Sequence, residues 1–84
     1  MELIVKIKKR LHQFTLNADI ETKSSIALLG ASGSGKSMTL KCIAGIEKPD
    51  SGVIILNGRT LYDSEKGIDL PPQKRKIGYL FQNY

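Results

Sequence analysis

The chain has 84 residues, of which 40% are hydrophobic and 25% are charged, and its formal net charge is +5. This length allows one small domain near the lower limit of independent stability, and the composition is that of a globular protein rather than a disordered or fibrous one. A single cysteine excludes an intramolecular disulfide and is typical of a reducing compartment, while the longest apolar runs, 26–29 and 53–56, are too short to cross a bilayer.

The first 24 residues predict an antiparallel hairpin. Leu3, Val5 and Ile7 alternate with lysines, and a second alternating run covers residues 14–20 after a short polar connector. A period of two indicates half-buried strands, and two such runs with a short connector are typical of a hairpin. Residues 21–24 are predicted to form a loop.

A buried strand, a glycine-rich loop and a helix are predicted next. Residues 26–29 are continuously apolar, as in a strand covered on both faces of a parallel sheet. The loop GASGSGKS follows at 30–37. Residues 37–46 then predict a mostly buried helix that ends at Gly45, because they carry one broad apolar stripe. The residues of that stripe are Leu40, Ile43 and Ala44, widened by Met38 and Cys42.

The rest of the chain predicts two short hairpin strands and a final strand. The predicted elements are, in order, a turn at 49–52, a strand at 53–56, a strand at 59–62, an irregular polar stretch at 63–75 and a strand at 77–81. Asn57-Gly58 is a strong hairpin-turn signal, while Pro71 and Pro72 argue against regular structure in the polar stretch. Lys74–Lys76 is interpreted as a solvated loop.

The spacing Gly30-x-x-x-x-Gly35-Lys36-Ser37 fits the phosphate-binding P-loop. The glycines let the backbone curl so that successive N–H groups point at a phosphate, and the start of the following helix adds unpaired N–H groups and its positive dipole end. Lys36 is expected to reach the β- and γ-phosphates, and the Ser37 hydroxyl to ligate Mg²⁺. The predicted nucleotide-binding residues are Gly30, Ala31, Ser32, Gly33, Ser34, Gly35, Lys36, Ser37 and Met38. The motif alone leaves nucleotide kinases, GTPases and transport ATPases open.

Four motifs after the loop narrow this choice. They are Ala44-Gly45-Ile46, Pro49-Asp50-Ser51-Gly52, Asn57-Gly58 and Gln82. In this order they resemble the ATP-binding subunits of ABC transporters. The segment LPPQKRKIG at 70–78 is similar to importer-type members, and the compact N-terminal hairpin together with DSEKGI at 63–68 is most similar to molybdate-importer ATPases.

The resemblance implies an α/β fold, with a mostly parallel P-loop NTPase core and an antiparallel portion made from the N-terminal and Val53 hairpins. Residues 1–84 would be the N-terminal portion of the nucleotide-binding domain and would end just after the Q-loop glutamine, Gln82. The implied function is binding of ATP with Mg²⁺ and, in the full-length family, hydrolysis that drives import of molybdate or a related oxyanion. Lys36 and Gln82 are the catalytic residues that it implies, and Ser37 and Gln82 the metal-binding ones.

The implied partners are transmembrane permease subunits and a second ATP-binding subunit. Lys6 interrupts the apolar core that a signal peptide needs, so a cytoplasmic location is expected, at the inner face of the membrane through these partners. Nucleic-acid binding is not expected, because no aromatic residues interleave the basic residues 6–10.

The chain departs from the family pattern in two places. Family members usually carry an aromatic residue after the first strand that stacks on adenine, whereas this region reads Lys9-Arg10-Leu11-His12 and leaves Arg10, His12 or Phe14 as substitutes. The signature helix, the Walker B aspartate, the catalytic glutamate and the switch histidine are absent from these 84 residues, and neither Asp19 nor Asp69 closes an apolar strand in their place.

These departures keep two alternatives open beside an ATPase. One is a truncated, non-catalytic fragment or interaction module with residual phosphate binding, and the other is a different P-loop kinase or GTPase. His12 is expected at the surface, and Cys42 is expected to be a small core residue rather than a nucleophile.

Overall fold

The computed structural model describes residues 2–23 and 36–77, which form a five-stranded sheet and two helices. The elements are β1 (Leu3–Arg10), β2 (Thr15–Thr22), α1 (Lys36–Ala44), β3 (Ser51–Leu56), β4 (Arg59–Asp63), β5 (Ile68–Asp69) and α2 (Pro72–Arg75). The strand order is β2-β1-β3-β4-β5, and every neighbouring pair is antiparallel.

The N-terminal hairpin is confirmed. β1 and β2 pair along their whole length, with Val5 opposite Ile20 and Ile7 opposite Ala18. Leu3, Val5 and Ile7 are buried on one face, while Lys6 and Lys8 are exposed on the other. Strand β2 extends to Thr22, two residues into the predicted loop, because Thr22 still pairs with Leu3, the first residue of β1.

Strand β3 lies against the other side of β1, so β1 is interior to the sheet. Ser51 and Gly52 belong to this strand, and the turn predicted at 49–52 is therefore wrong for its last two residues. Gly52 lies opposite Ile7 at a φ of +121°, and a Cβ atom there would lie 2.0 Å from the Lys6 carbonyl oxygen. The sheet thus needs glycine at this position for close approach of two backbones.

The second hairpin, between β3 and β4, is also confirmed. Asn57 and Gly58 have φ angles of 53° and 78°, the pair of positive values that a type I′ turn requires. The register shifts between Ile54 and Ile55, and a bulge of this kind re-aims the side chains of the opposite strand. The consecutive residues Leu61 and Tyr62 are both buried as a result.

The polar stretch at 63–75 is more regular than predicted. Strand β5 pairs with β4, and the turn between them is held by Asp63, whose side chain accepts hydrogen bonds from the backbone N–H groups of Glu65 and Lys66. Helix α2 begins at Pro72. Proline is tolerated there, since the first N–H groups of a helix have no intrahelical partner.

Helix α1 covers the buried face of the sheet and closes the core. The buried cluster consists of Leu3, Val5, Ile7, Cys42, Ile43, Ile54, Leu56, Leu61, Tyr62 and Ile77. The antiparallel portion of the predicted fold is therefore present. The strands predicted at 26–29 and 77–81, on which the parallel core depends, lie outside the described residues except for Ile77, which is buried but not in a strand.

Candidate functional site

Helix α1 begins at Lys36, the seventh residue of the motif GASGSGKS. Its first turn contains no acidic residue, and Lys41 lies in its last turn. The first feature leaves the positive, N-terminal end of the helix dipole uncompensated for an incoming anion, and the second is favourable at the negative, C-terminal end. The described part of the chain does not include residues 30–35 and 82 or the side chains of Lys36 and Ser37. The roles assigned to the loop, Lys36, Ser37 and Gln82 therefore stay predictions.

The sheet fixes α1 through the apolar stripe that the sequence predicts. Cys42 and Ile43 are fully buried, while Leu40 and Ala44 are half-buried and pack against the core. Met38 also packs against this core. Its predicted contact with nucleotide would therefore use the backbone N–H rather than the thioether, and it stays a prediction.

Burial decides the chemistry of the cysteine. Loss of hydration raises the pKa of the Cys42 thiol from its ordinary value of 9.0, with Glu47 and Asp50 acting in the same direction and Lys9 and Arg75 opposing it. A thiol that stays protonated is a poor nucleophile. Cys42 is thus a core residue, as predicted.

The end of α1 is fixed by a Schellman motif. Helix α1 ends at Ala44, two residues before the end of the predicted helix, and Gly45 follows with a φ of +85°. The Gly45 N–H donates to the Cys42 carbonyl at 3.2 Å, and the Ile46 N–H donates to the Lys41 carbonyl at 3.0 Å. These bonds satisfy two of the carbonyls that have no partner within a helix, so Gly45 ends the helix as predicted.

Arg75 supplies donors to the same helix end. Its Nη1 donates to the carbonyl oxygens of Cys42 at 2.9 Å and Ile43 at 3.0 Å, while Nε donates to Leu70 O at 2.7 Å and Nη2 to Asp69 Oδ1 at 2.9 Å. A positive charge at the C-terminal end of a helix is favourable because it opposes the dipole. Desolvation lowers the pKa of Arg75, and the neighbouring Asp69 opposes this shift.

The prediction of a solvated loop at Lys74–Lys76 is wrong for Arg75. The residue is 2% exposed, whereas Lys74 and Lys76 are exposed. Three adjacent basic residues give no indication of which one turns inward, because its acceptors on α1 lie 32 and 33 residues earlier in the chain. Arg75, bound to the C-terminal end of the helix that begins at Lys36, is a residue that sequence reasoning missed.

The loop between α1 and β3 is fixed by the sheet. The Asp50 N–H donates to the Lys8 carbonyl at 2.8 Å, and the Asp50 carboxylate accepts the Arg10 N–H at 2.7 Å. The Tyr62 hydroxyl, whose pKa is raised by burial, donates to the Pro49 carbonyl at 3.0 Å. The end of this loop that leads into β3 is thereby tied to strands β1 and β4.

The residues considered for adenine stacking lie together around the turn between β1 and β2. Arg10 ends β1, and both His12 and Phe14 lie in the turn, which is closed by a 2.8 Å hydrogen bond from Leu11 N–H to the Phe14 carbonyl. His12 is exposed, as predicted, and Phe14 is 42% exposed. Phe14 therefore offers an accessible aromatic face for stacking.

Two kinds of site are not found within residues 2–23 and 36–77. No three His, Cys, Asp or Glu side chains come together there in a way that would hold a metal ion. No helix in these ranges is long and apolar enough to cross a membrane.

Comparison with known proteins gives a family match over most of the chain. A family model described as ABC transporter matches residues 14–84. The molybdenum import ATP-binding protein ModC of Paramagnetospirillum magneticum is 41% identical over 83 residues, which cover 98% of this chain and 23% of that protein. The protein of the same name from Escherichia coli K12 is 44% identical over 72 residues, which cover 86% of this chain and 20% of that protein. The chain thus spans about a fifth to a quarter of these relatives.

Proposed function

Because this chain belongs to the ABC transporter family, whose model matches residues 14–84, we propose that it binds ATP with Mg²⁺ through residues 30–37. It would form the N-terminal portion of a nucleotide-binding domain whose ATP hydrolysis drives import of a small solute. The observation that carries this proposal is the family match across the whole stretch from the motif GASGSGKS to Gln82. A family match also removes the alternative of an unrelated P-loop kinase or GTPase.

The described residues fit a bound nucleotide at the start of α1. A helix that begins at Lys36 and has no carboxylate in its first turn favours phosphate binding. Lys36 would neutralise charge on the β- and γ-phosphates, and Ser37 with Gln82 would hold Mg²⁺, which screens the phosphate charge. On this proposal the chain's own contribution is to bind and orient the phosphates.

Molybdate or a related oxyanion is the proposed solute. This proposal is supported by two relatives that carry the words molybdenum import in their names and are 41% and 44% identical to this chain. The proposed partners are transmembrane permease subunits and a second ATP-binding subunit. The protein would then act at the inner face of the membrane through those partners.

Titration calorimetry of the 84-residue chain with ATP tests nucleotide binding. Lys36→Ala should weaken ATP affinity by about 10- to 150-fold, because a hydrogen bond to a charged group contributes about 1.5–3 kcal/mol. Ser37→Ala should instead reduce the gain in affinity that Mg²⁺ provides and leave metal-free binding nearly unchanged.

Lys41→Ala is the matched control. It removes the same charge from the same helix, but Lys41 is exposed at the opposite end. If Lys36→Ala binds ATP as tightly as the Lys41→Ala protein, the P-loop assignment is wrong.

A further inference from the structure

We propose that Arg75 is a positioning residue: by joining the last turn of α1 to residues 69–70, it fixes the orientation of α1, and with it the start of the helix at Lys36, relative to the part of the chain that precedes Gln82 in the sequence. The Arg75 guanidinium connects the last turn of α1 to Asp69 and Leu70, and Gln82 follows seven residues later in the sequence. This inference rests on the proposed function, since it concerns how the start of α1 and Gln82 would bind the same Mg²⁺–nucleotide.

The first argument is the geometry of the contacts. Four hydrogen bonds of 2.7 to 3.0 Å leave one planar group and end on two separate segments. A guanidinium presents its donors in a fixed fork, whereas a lysine ammonium is a single point with three donors. The contact therefore fixes relative orientation as well as distance.

The second argument is that the surroundings are built around this side chain. A Cβ atom at residue 45 would lie 2.8 Å from Arg75 Nε and 3.0 Å from Arg75 Cζ, so the glycine that ends α1 also makes room for the guanidinium. Arg59 of β4 donates to the carbonyl oxygens of Arg75 and Lys74. The backbone that carries Arg75 is thus held by a second arginine.

The third argument is the placement of a charge where an apolar residue would also fill space. Arg75 is 2% exposed, and a buried ion is costly even when its partners are well placed, while apolar replacements of similar volume are often as stable. Asp69, its ion-pair partner, has a side chain that is 44% exposed. What the guanidinium adds over an apolar side chain is directional attachment of α1.

The distance along α1 shows why such attachment matters. From Ile43 to Lys36 is seven residues, or roughly 10 Å at 1.5 Å per residue. A tilt of about 10° at the Arg75 end would then displace the start of α1 by roughly 2 Å. At sites that align reacting groups, a misplacement of about 1 Å can already reduce the rate by about 100-fold.

The test compares ATP affinity with and without Mg²⁺ by calorimetry, using the 84-residue chain and its Arg75→Lys, Arg75→Met and Asp69→Asn variants. Lys74→Met is the matched control, because it removes a neighbouring charge from an exposed side chain. Folding of each variant is checked by protection of the buried Cys42 thiol from alkylation.

We expect metal-free ATP affinity to stay within about twofold of wild type, while the gain in affinity from Mg²⁺ falls by about fivefold or more in Arg75→Lys. Asp69→Asn should show a smaller loss in the same direction, and Lys74→Met none. If Arg75→Met or Arg75→Lys does not fold, Asp69→Asn carries the test, since it leaves three of the four contacts of Arg75 in place.

The outcomes separate the inference from the proposed function. A merely structural role predicts that folded Arg75 and Asp69 variants keep the full gain from Mg²⁺, and this result overturns the inference alone. Absence of Lys36-dependent ATP binding by the wild-type chain overturns the proposed function and the inference with it. A loss of Mg²⁺ dependence at Arg75 and Asp69 but not at Lys74 supports the inference.

Discussion

Gly52→Ala provides the sharpest test of the described fold. Gly52 lies on β3 opposite Ile7 of β1, and its φ of +121° is one that residues with a side chain rarely adopt. An added Cβ would lie 2.0 Å from Lys6 O and 2.7 Å from Ile7 Cα, both of them backbone atoms. No rotation of a side chain relieves these contacts, so the two strands must separate.

The size of the effect follows from these distances. Real Cβ contacts are essentially never shorter than 3.0 Å. To bring the added Cβ to 3.0 Å from the Lys6 oxygen, β1 and β3 must move apart by 3.0 − 2.0 = 1.0 Å. Such a shift disrupts about two ladder hydrogen bonds, at about 1 kcal/mol each, and adds about 1–3 kcal/mol of backbone strain. We expect Gly52→Ala to lower the free energy of unfolding by about 4 kcal/mol, a large part of the stability of any small domain.

Gly58→Ala is the matched control, because Gly58 also has a positive φ, +78°, but a Cβ there meets no atom within 4 Å. It should cost only the left-handed backbone penalty of about 1–2 kcal/mol. The assay is the rate of alkylation of Cys42, which is fully buried and the single cysteine of the chain.

The difference of about 2–3 kcal/mol between the two variants should make Gly52→Ala react roughly 30- to 150-fold faster than Gly58→Ala. The control condition is that Cys42 is alkylated more slowly in each variant than in the denatured chain. If the two variants then react at equal rates, β1 and β3 do not approach as described.

Three further results are expected. ATP and GTP should compete within roughly tenfold, about 1.4 kcal/mol, and a strong preference for ATP in a competition titration would show that Phe14 or another residue stacks on adenine effectively. The purified 84-residue chain should release phosphate from ATP no faster than its Lys36→Ala variant, because a general base typically contributes about 10²–10⁴-fold and none is identified in it; Lys36-dependent turnover near about 1 s⁻¹ would contradict this. Burial raises the pKa of Cys42 from 9.0, so the unfolded thiol ionises first, and its contribution to stability is full below pH 9.0 and is lost as the pH rises through the folded pKa. Between about pH 8 and pH 10, the denaturant midpoint should therefore fall less steeply with rising pH for Cys42→Ala than for the wild-type chain. Parallel pH profiles for the two proteins would refute the burial of the Cys42 thiol.

Local patterns were sufficient to predict several elements. The alternation of Leu3, Val5 and Ile7 predicted β1 and its buried face, and Asn57-Gly58 predicted the turn between β3 and β4. These features depend on residues within a few positions of each other, so their physical causes are visible in the sequence. Gly45 as the end of α1 is of the same kind, because its positive φ lets the N–H groups of Gly45 and Ile46 bond to carbonyls three and five positions before them.

The polar stretch at 63–75 shows where local patterns fail. Pro71 and Pro72 suggested irregular structure, yet Pro72 starts α2 and Ile68–Asp69 form β5. A two-residue strand such as Ile68–Asp69 has no detectable periodicity, and it exists because β4 supplies its partner. The neighbouring sheet, rather than the intrinsic preference of the stretch, determines its conformation.

By itself the sequence determined the family, the glycine-rich motif GASGSGKS and the antiparallel hairpins, because each is carried by residues close together in the chain. The tertiary structure alone decided that Arg75 is buried against α1, that the β3–β4 register shifts at Ile54, and that Gly52 is needed where β1 and β3 meet. The acceptors of Arg75 on α1 lie up to 33 residues away, and Gly52 is constrained by the backbone of Lys6. Such pairs become neighbours only after the chain has folded, because burial of a common apolar core is what brings them together.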